Sequence, residues 1–247
     1  MSEFSNEPMV PAGGSEMSLV DTWMAAFTKP NENTFAKIAA QPGATTSKAF
    51  LWVFVASLLT SFVSLIAQAV SRGSQMGMLR QFLPPEIARE LPVGASPSFG
   101  IGTVICGTPI AAVLAVLGFA IGAALIQWAA KLFGGTGSFE KLAYTFSAIT
   151  VPYSVVTAIL TLVGIIPFVG ILTGLISFGL FFYIIVLEVL AVKAVNRLDT
   201  GKSVGAVLLP SLVLFLLLCC CVIVAAVGMG SIFGDVFKSI NQSLGGF

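Results

Sequence analysis

The sequence predicts an all-α fold: a polytopic membrane protein with a bundle of five transmembrane helices and a short interfacial helix before the third span. Composition supports this class, since 57% of the 247 residues are hydrophobic and only 9% are charged, against about 25% charged in an ordinary soluble domain. The apolar runs are continuous rather than alternating, which favours helices over a barrel in lipid, where backbone groups must be hydrogen-bonded within the fold.

The predicted spans are apolar runs long enough to cross ~30 Å of hydrocarbon at ~1.5 Å per residue. They extend from about Ala49 to Val70, Ile101 to Ala130, Ala148 to Ile166, Phe168 to Val192 and Val204 to Val227. A kink is expected at Pro109 in the second span. The connection between the third and fourth spans carries no charge, which predicts a tight antiparallel hairpin.

The polar segments define the remaining organisation. We expect residues 1–18 to be a disordered tail, 19–48 a cytoplasmic lead-in, 49–230 the membrane domain and 231–247 a short C-terminal tail. Five spans place the termini on opposite sides, and the positive-inside rule then favours a cytoplasmic N-terminus. The cytoplasmic side carries Lys37, Lys48, Lys131, Lys141, Lys193, Arg197 and Lys202, against Arg72, Arg80, Arg89 and Lys238 on the other side.

Two connections contain helix signals. In the first, residues 71–98, Pro84 and Pro85 predict a short helix through Glu90, which is either an outer lid or docking helix or a connector on the headgroups.

In the second connection, three glycines break the preceding helix: Gly134, Gly135 and Gly137. Ser138 can then cap a new helix, with Glu140 in the first turn, where the helix dipole favours an acid. The apolar residues Leu142, Phe146 and Ile149 recur at helical spacing. We expect this helix to lie along the cytoplasmic interface and to turn into the membrane at a second helix break, Pro152.

Glu188 is the most informative single residue, because an acid at the hydrocarbon edge normally has a partner or a role. It is either in a structural ion pair or snorkelling, with Lys131, Lys141 or Lys193 nearby, or it is a proton or cation site. Lys193 and Arg197 are four residues apart and should share a helix face toward headgroups or a partner. The candidate functional polar residues are Glu188, Lys193, Arg197, Glu140, Lys141 and Tyr153.

Two glycine pairs have the spacing that lets helix backbones approach closely. They are Gly118 with Gly122 and Gly170 with Gly174. Packing within the chain and dimerisation are the two interpretations.

Several site types are disfavoured. The chain has no histidine, which removes the commonest metal ligand and general base. Gly201-Lys202-Ser203 lacks the first glycine of a phosphate-binding loop, since Asn196 occupies that position. The four cysteines lie in apolar segments without metal-site spacing. We therefore expect no catalytic site, no metal, no cofactor and no nucleic-acid partner.

Three segments carry a family resemblance: GGTGSFEKLAYTFSAITVPYSV, the hairpin IIPFVG and LEVLAVKAVNRLDTGKSVGAVLLP. They resemble the Yip domain family, multi-pass membrane proteins that interact with Ypt/Rab GTPases. The lead-in FTKPNENTFAKIAAQPGATTSKAFLWVFV resembles that of prokaryote-type members. The resemblance covers about residues 20–230 and implies five spans, a cytoplasmic N-terminus, an outside C-terminus and a prokaryotic plasma (inner) membrane. The acidic, tyrosine-containing motifs of eukaryotic members are not seen, and no catalytic residue carries over.

These observations predict a non-enzymatic membrane organiser or partner-recruiting scaffold. Its expected partners are the lipid bilayer and a homodimer or other protein partner on the cytoplasmic face. The alternative is a small transporter or channel subunit that uses Glu188 and the polar residues beside Pro152, namely Thr150, Tyr153, Ser154 and Thr157. An intramembrane enzyme is the weakest interpretation, because histidine is absent and Glu188 is the acid within the spans.

Overall fold

The computed structural model describes residues 17–82, 101–166, 168–213, 215–216 and 219–220, and these residues form helices and short connections without a strand. The helices are α1 (Leu19–Thr28), α2 (Glu32–Ala39), α3 (Thr46–Phe82), α4 (Ile101–Leu132), α5 (Phe139–Val163), α6 (Val169–Asn196) and α7 (Thr200–Val213). Within this part of the chain, α3 to α6 each contain a stretch long and apolar enough to cross a membrane. The prediction of an all-α, polytopic membrane protein is confirmed at this level.

Some predictions lie partly or wholly outside the described residues. Helix α7 covers only the first part of the predicted fifth span, so the five-span count stays a prediction. The same holds for the two terminal tails and for the expected helix between Pro84 and Glu90.

Helix α3 is longer than the first predicted span. Its apolar stretch, Thr46–Gln68, agrees with the predicted span, but the helix continues to Phe82. Hydrophobicity fixes where a helix leaves the hydrocarbon, whereas hydrogen bonding and propensity fix where it ends. The residues after Val70 include Arg, Gln, Met and Leu, which are good helix formers, so the helix continues.

The first half of α5 is the centre of the bundle, and this corrects the prediction of a separate interfacial helix. All eight residues from Leu142 to Ile149 are buried, and α5 packs against α1, α2, α3, α4 and α6. The polar members do not prevent burial, because their hydroxyls bond to carbonyls of their own helix. Thr145 Oγ1 donates to Lys141 O, and Ser147 Oγ donates to Tyr144 O.

The expected helix break at Pro152 is also corrected. Pro152 lies inside α5, which runs without interruption from Phe139 to Val163. A proline removes one backbone hydrogen bond, here the one to the carbonyl of Ala148, and membrane helices tolerate such a loss when neighbouring helices support them. Pro109 likewise lies inside α4.

Helices α5 and α6 form an antiparallel hairpin. At its tip, a Cβ on Gly164 would lie 2.9 Å from Thr173 Oγ1, so the two helices approach closely there. At the other end, Gly137, just before α5, lies against the backbone of Val195 near the end of α6.

The bundle has an apolar outer surface and one densely packed end. Large apolar side chains on α6 are exposed from Ile171 to Val186, as expected for a surface that faces lipid. Beyond Val186 the α6 residues through Asn196 are half-buried or buried, because α2 and α5 cover them. We call this region the packed end: α1, α2, residues 133–138, the start of α5, residues 187–196 and the start of α7.

Candidate functional site

A buried pair of side-chain amides joins the helices at the packed end. Gln127 of α4 donates from Nε2 to Asn196 Oδ1 at 3.0 Å and to Gly137 O at 2.7 Å. Asn196 Nδ2 donates in return to Gln127 Oε1 at 3.2 Å. Asn196 is 1% exposed and Gln127 4%. Buried amides need such partners, so this pair ties α4, the α4–α5 connection and α6 together.

The glycines of the connection permit this close packing. A Cβ on Gly135 would lie 2.8 Å from Ala130 O and 2.9 Å from Asn196 Cβ, and one on Gly137 would lie 2.6 Å from Val195 O. Gly134 has φ 91°, in the left-handed region. These glycines follow the end of α4, where a helix break is predicted, and they also allow the connection to lie directly on α6.

Helices α1 and α2 are attached to the bundle by polar contacts. Tyr144 OH of α5 donates to Gln41 Oε1 at 3.1 Å, and Gln41 Nε2 donates to Thr22 Oγ1 of α1 at 3.2 Å. Lys193 of α6 forms an ion pair with Glu32 of α2 at 2.9 Å. The lead-in predicted for residues 19–48 is therefore a folded part of the molecule.

Aromatic rings add a second set of contacts to α1. The ring centroid of Trp23 lies 5.4 Å from that of Trp52 on α3, and Trp52 lies 4.9 Å from Tyr144. Phe27 makes an edge-to-face contact with Tyr183 of α6 at 5.4 Å, and Tyr183 OH donates to the carbonyl of Phe27. Such pairs contribute about 0.5–1.5 kcal/mol each beyond burial.

Lys193 and Arg197 do not share an outward helix face. Lys193 turns to Glu32, whereas Arg197 is the exposed C-terminal cap of α6, with φ 54° in the left-handed region. Because α6 ends at Asn196, the four-residue spacing that would align the two side chains no longer applies at Arg197.

Glu140 lies in the first turn of α5 as expected and also has a partner on another helix. Its Oε1 accepts a hydrogen bond from Thr46 N, at the start of α3, at 3.3 Å. Ser138 caps α5 by accepting from Lys141 N at 3.4 Å, and the Lys141 side chain is exposed.

Glu188 lies on the covered part of α6. Ala191 and Val192, one turn further along, are fully buried, and Glu188 itself is intermediate in exposure. In the part of the chain that the structure describes, its carboxylate forms no ion pair with Lys131, Lys141 or Lys193, the partners considered from the sequence. Lys131 and Lys141 are exposed, and Lys193 is paired with Glu32.

The two threonine hydroxyls beside Pro152, of Thr150 and Thr157, are hydrogen-bonded within their own helix. Thr150 Oγ1 donates to Phe146 O at 2.9 Å, and Thr157 Oγ1 donates to Tyr153 O at 3.0 Å. Tyr153 and Ser154 are half-buried on the same helix. Hydroxyls bonded in this way need no water or ligand.

A polar cavity lies elsewhere, between α3 and α4. It has a volume of about 290 Å³ and is lined mainly by hydroxyl, amide and small side chains: Thr60, Ser61, Ser64, Leu65, Gln68, Gly107 and Ala111. Nothing in the sequence interpretation pointed to this cavity, because single hydroxyl residues within an apolar run are common in spans.

The two predicted glycine pairs differ in their surroundings. A Cβ on Gly118, Gly122 or Gly174 would meet no atom of the described chain within 4 Å, whereas Gly170 approaches Gly164 O. Close helix packing is thus seen at Gly170, and the Gly118–Gly122 face is open in the described residues. Among those same residues, no group of three or more Cys, Asp or Glu side chains is arranged for a metal ion.

The packed end is built largely from the segments that carry the family resemblance in the sequence. The glycine connection, the buried half of α5 and the end of α6 are these segments, and they contact one another. Neither the comparison with curated proteins nor the comparison with solved structures gave a match. The family model of the Yip1 domain matches residues 24–228, most of the chain, and the protein therefore belongs to the Yip1 domain family.

Proposed function

We propose that this chain is a non-enzymatic scaffold that recruits a protein partner, or organises the membrane, at the packed end. The observation that carries the proposal is the buried Gln127–Asn196 pair, which joins α4 to α6 beside the α4–α5 connection. Lys131, Lys141, Arg197 and Lys202 are exposed around this junction. A rigid surface of this kind is suited to binding an acidic partner, because charge complementarity speeds and orients association.

The packed end is proposed to be cytoplasmic, in the plasma membrane of a prokaryote. The first helix of the membrane domain starts at this end, and the predicted excess of basic residues is on the same side. A fifth span continuing from α7 would place the C-terminus outside.

Site-specific photo-crosslinking in living cells tests the recruiting role. A photoreactive phenylalanine analogue at Arg197 or Lys141 should give a discrete protein adduct, and the same residue at the lipid-facing Ile171 should not. Charge reversal of the neighbouring Lys202 (Lys202→Glu) should weaken the Arg197 adduct. An adduct twice the mass of the chain would identify a second copy as the partner. The absence of any adduct at both positions, in protein shown to be inserted, would refute the recruiting role.

The polar cavity favours one second candidate, a small transporter or channel subunit. A side-chain amide such as Gln68 inside a span is costly against lipid and often marks a polar pathway. The candidate predicts flux of protons or a cation in proteoliposomes, reduced by Gln68→Leu at the cavity or by Glu188→Gln on α6. No flux above empty liposomes, with folded protein present, would remove this candidate.

A further inference from the structure

Helix α1 buries two small residues and packs Trp23 and Phe27 against the bundle, yet it leaves three large apolar residues exposed. Thr22 and Ala26 are fully buried, whereas Leu19, Val20 and Met24 are 51%, 61% and 54% exposed. In a water-soluble helix the opposite distribution is expected. The exposed apolar side of α1 is therefore better suited to a non-aqueous contact than to water.

Helix α1 has three sides of different composition. Thr22 and Ala26 face the bundle, Val20 and Met24 form an apolar row four residues apart, and Asp21 is exposed on the remaining side. A helix with an inner, an apolar and a polar side fits at the edge of a membrane protein, where protein, lipid and water meet.

Contacts with α6 fix the level of α1 along the bundle. Phe27, at the end of α1, packs on Tyr183. Tyr183 lies between Phe182 and Val186, the last exposed large apolar residues of α6 before α2 covers that helix. The end of α1 therefore lies level with the last lipid-facing residues of α6, next to the packed end.

Contacts with α3 place α1 at the same level along the bundle. Trp23 packs on Trp52, and Trp52 lies between the exposed Leu51 and Val55 near the start of the first span. Trp52 itself is buried, but the α3 surface on either side of it is apolar and exposed, as expected for a surface that faces lipid. The apolar row of α1 therefore continues the lipid-facing surfaces of both α3 and α6.

We propose that α1 is an in-plane membrane helix that inserts Val20 and Met24 into the acyl-chain boundary on the side of the packed end, with Asp21 toward water. The occupant of its apolar face is lipid. Because Thr22 is linked through Gln41 to Tyr144 in the buried half of α5, the membrane surface is connected directly to the centre of the packed end. This inference does not depend on whether the packed end recruits a partner.

Spin-label accessibility in the full chain tests the proposal. In a variant without the four native cysteines, Met24→Cys and Val20→Cys would each be labelled and the protein reconstituted in liposomes. We expect collisions with oxygen, which partitions into lipid, to exceed collisions with a water-soluble nickel chelate, as at the lipid-facing control Ile171→Cys. Asp21→Cys, on the same helix, and Ala36→Cys, on the exposed side of α2, should show the opposite ratio.

Two results with the Met24 label would contradict the proposal. A Met24 label with the nickel accessibility of Ala36 would place α1 in water and overturn the proposal. A Met24 label shielded from both reagents would mean that protein, either a second copy or another part of the chain, covers the helix, which also overturns it. Val20 and Asp21 are neighbours on one helix, so the difference between their oxygen-to-nickel accessibility ratios is an internal control. If the protein were unfolded, this difference would disappear.

Discussion

The side chains of Gln127 and Asn196 donate hydrogen bonds to each other, at 3.0 Å and 3.2 Å, although 69 residues separate them in the chain. The same Gln127 nitrogen also reaches the carbonyl of Gly137. One buried amide pair thus fixes the ends of α4 and α6 and the connection that leads into α5. Removing either side chain would leave the other without its hydrogen-bond partner, and an unpaired buried amide lowers the stability of the fold.

Asn196→Ala should destabilise the protein by about 1–3 kcal/mol, because it leaves the buried Gln127 oxygen without its donor. The measurement is thermal or denaturant unfolding in detergent. Asn33→Ala, an exposed asparagine on α2, is the matched control and should change stability by less than about 0.5 kcal/mol.

A double-mutant cycle makes the interaction itself visible. Replacing both Gln127 and Asn196 by alanine should cost less than the sum of the single changes, because neither amide is then left unpaired. Strictly additive effects would show that the two side chains do not stabilise one another.

Gly137→Ala should also be destabilising, by about 1–3 kcal/mol, because overpacking forces the backbone to move. The added Cβ would lie 2.6 Å from Val195 O and 2.8 Å from Asn196 Oδ1, and a backbone carbonyl cannot rotate away like a side-chain tip. Unfolding of the purified protein measures the effect.

The control for this change is Gly118→Ala, inside α4. No atom of the described chain lies within 4 Å of the added Cβ, and alanine is favoured over glycine in a helix by about 0.5–1 kcal/mol. Gly118→Ala should therefore be neutral or stabilising in the monomer. If both glycine variants behaved alike, the close approach at Gly137 would not be what requires glycine there.

Hydrophobic runs and local caps were sufficient to predict much of the fold. The run after Ala49 located the first span, and the glycine trio with Ser138 located the start of α5. These signals are local, since span length and helix capping depend on neighbouring residues. The same reasoning failed for the buried half of α5. The spacing of Leu142, Phe146 and Ile149 suggested a helix with one apolar face at the interface, but the polar residues between them, Thr145 and Ser147, bond to their own helix and are buried as well.

The site at the packed end was less accessible from sequence because it depends on distant partners. Nothing near Gln127 indicates that Asn196 lies opposite it, and both are single amides next to apolar runs. Lys193 seemed to face outward because its ion-pair partner, Glu32, belongs to a helix whose position no local pattern specifies. Contacts between residues this far apart in the chain become visible only when the helices are placed in three dimensions.

Glu32→Gln should have a small effect despite the short ion pair with Lys193. The two side chains are 51% and 25% exposed, and exposed pairs contribute about 0–1 kcal/mol because solvent screens them. Unfolding at low and at high salt measures this, and the difference between wild type and variant should shrink as salt rises. A loss above about 2 kcal/mol that persists in high salt would show that α2 depends on this pair much more than its exposure implies.

Tyr144→Phe should loosen α1 and α2 without removing the ring that packs on Trp52. The variant lacks the hydroxyl that donates to Gln41, and through Gln41 the link to Thr22. A hydrogen bond contributes about 0.5–1.5 kcal/mol net. If trypsin cleaves only molecules in which α1 and α2 have locally detached, the loss of this hydrogen bond makes cleavage roughly two- to tenfold faster. The measurement is the rate of trypsin cleavage after Lys37, on α2, in detergent. Tyr153→Phe, the same change further along α5, is the control and should leave that rate unchanged. Equal rates in Tyr144→Phe and wild type would mean that the Tyr144 hydroxyl is not needed to hold the N-terminal helices and that their remaining contacts, such as the Lys193–Glu32 pair, are sufficient.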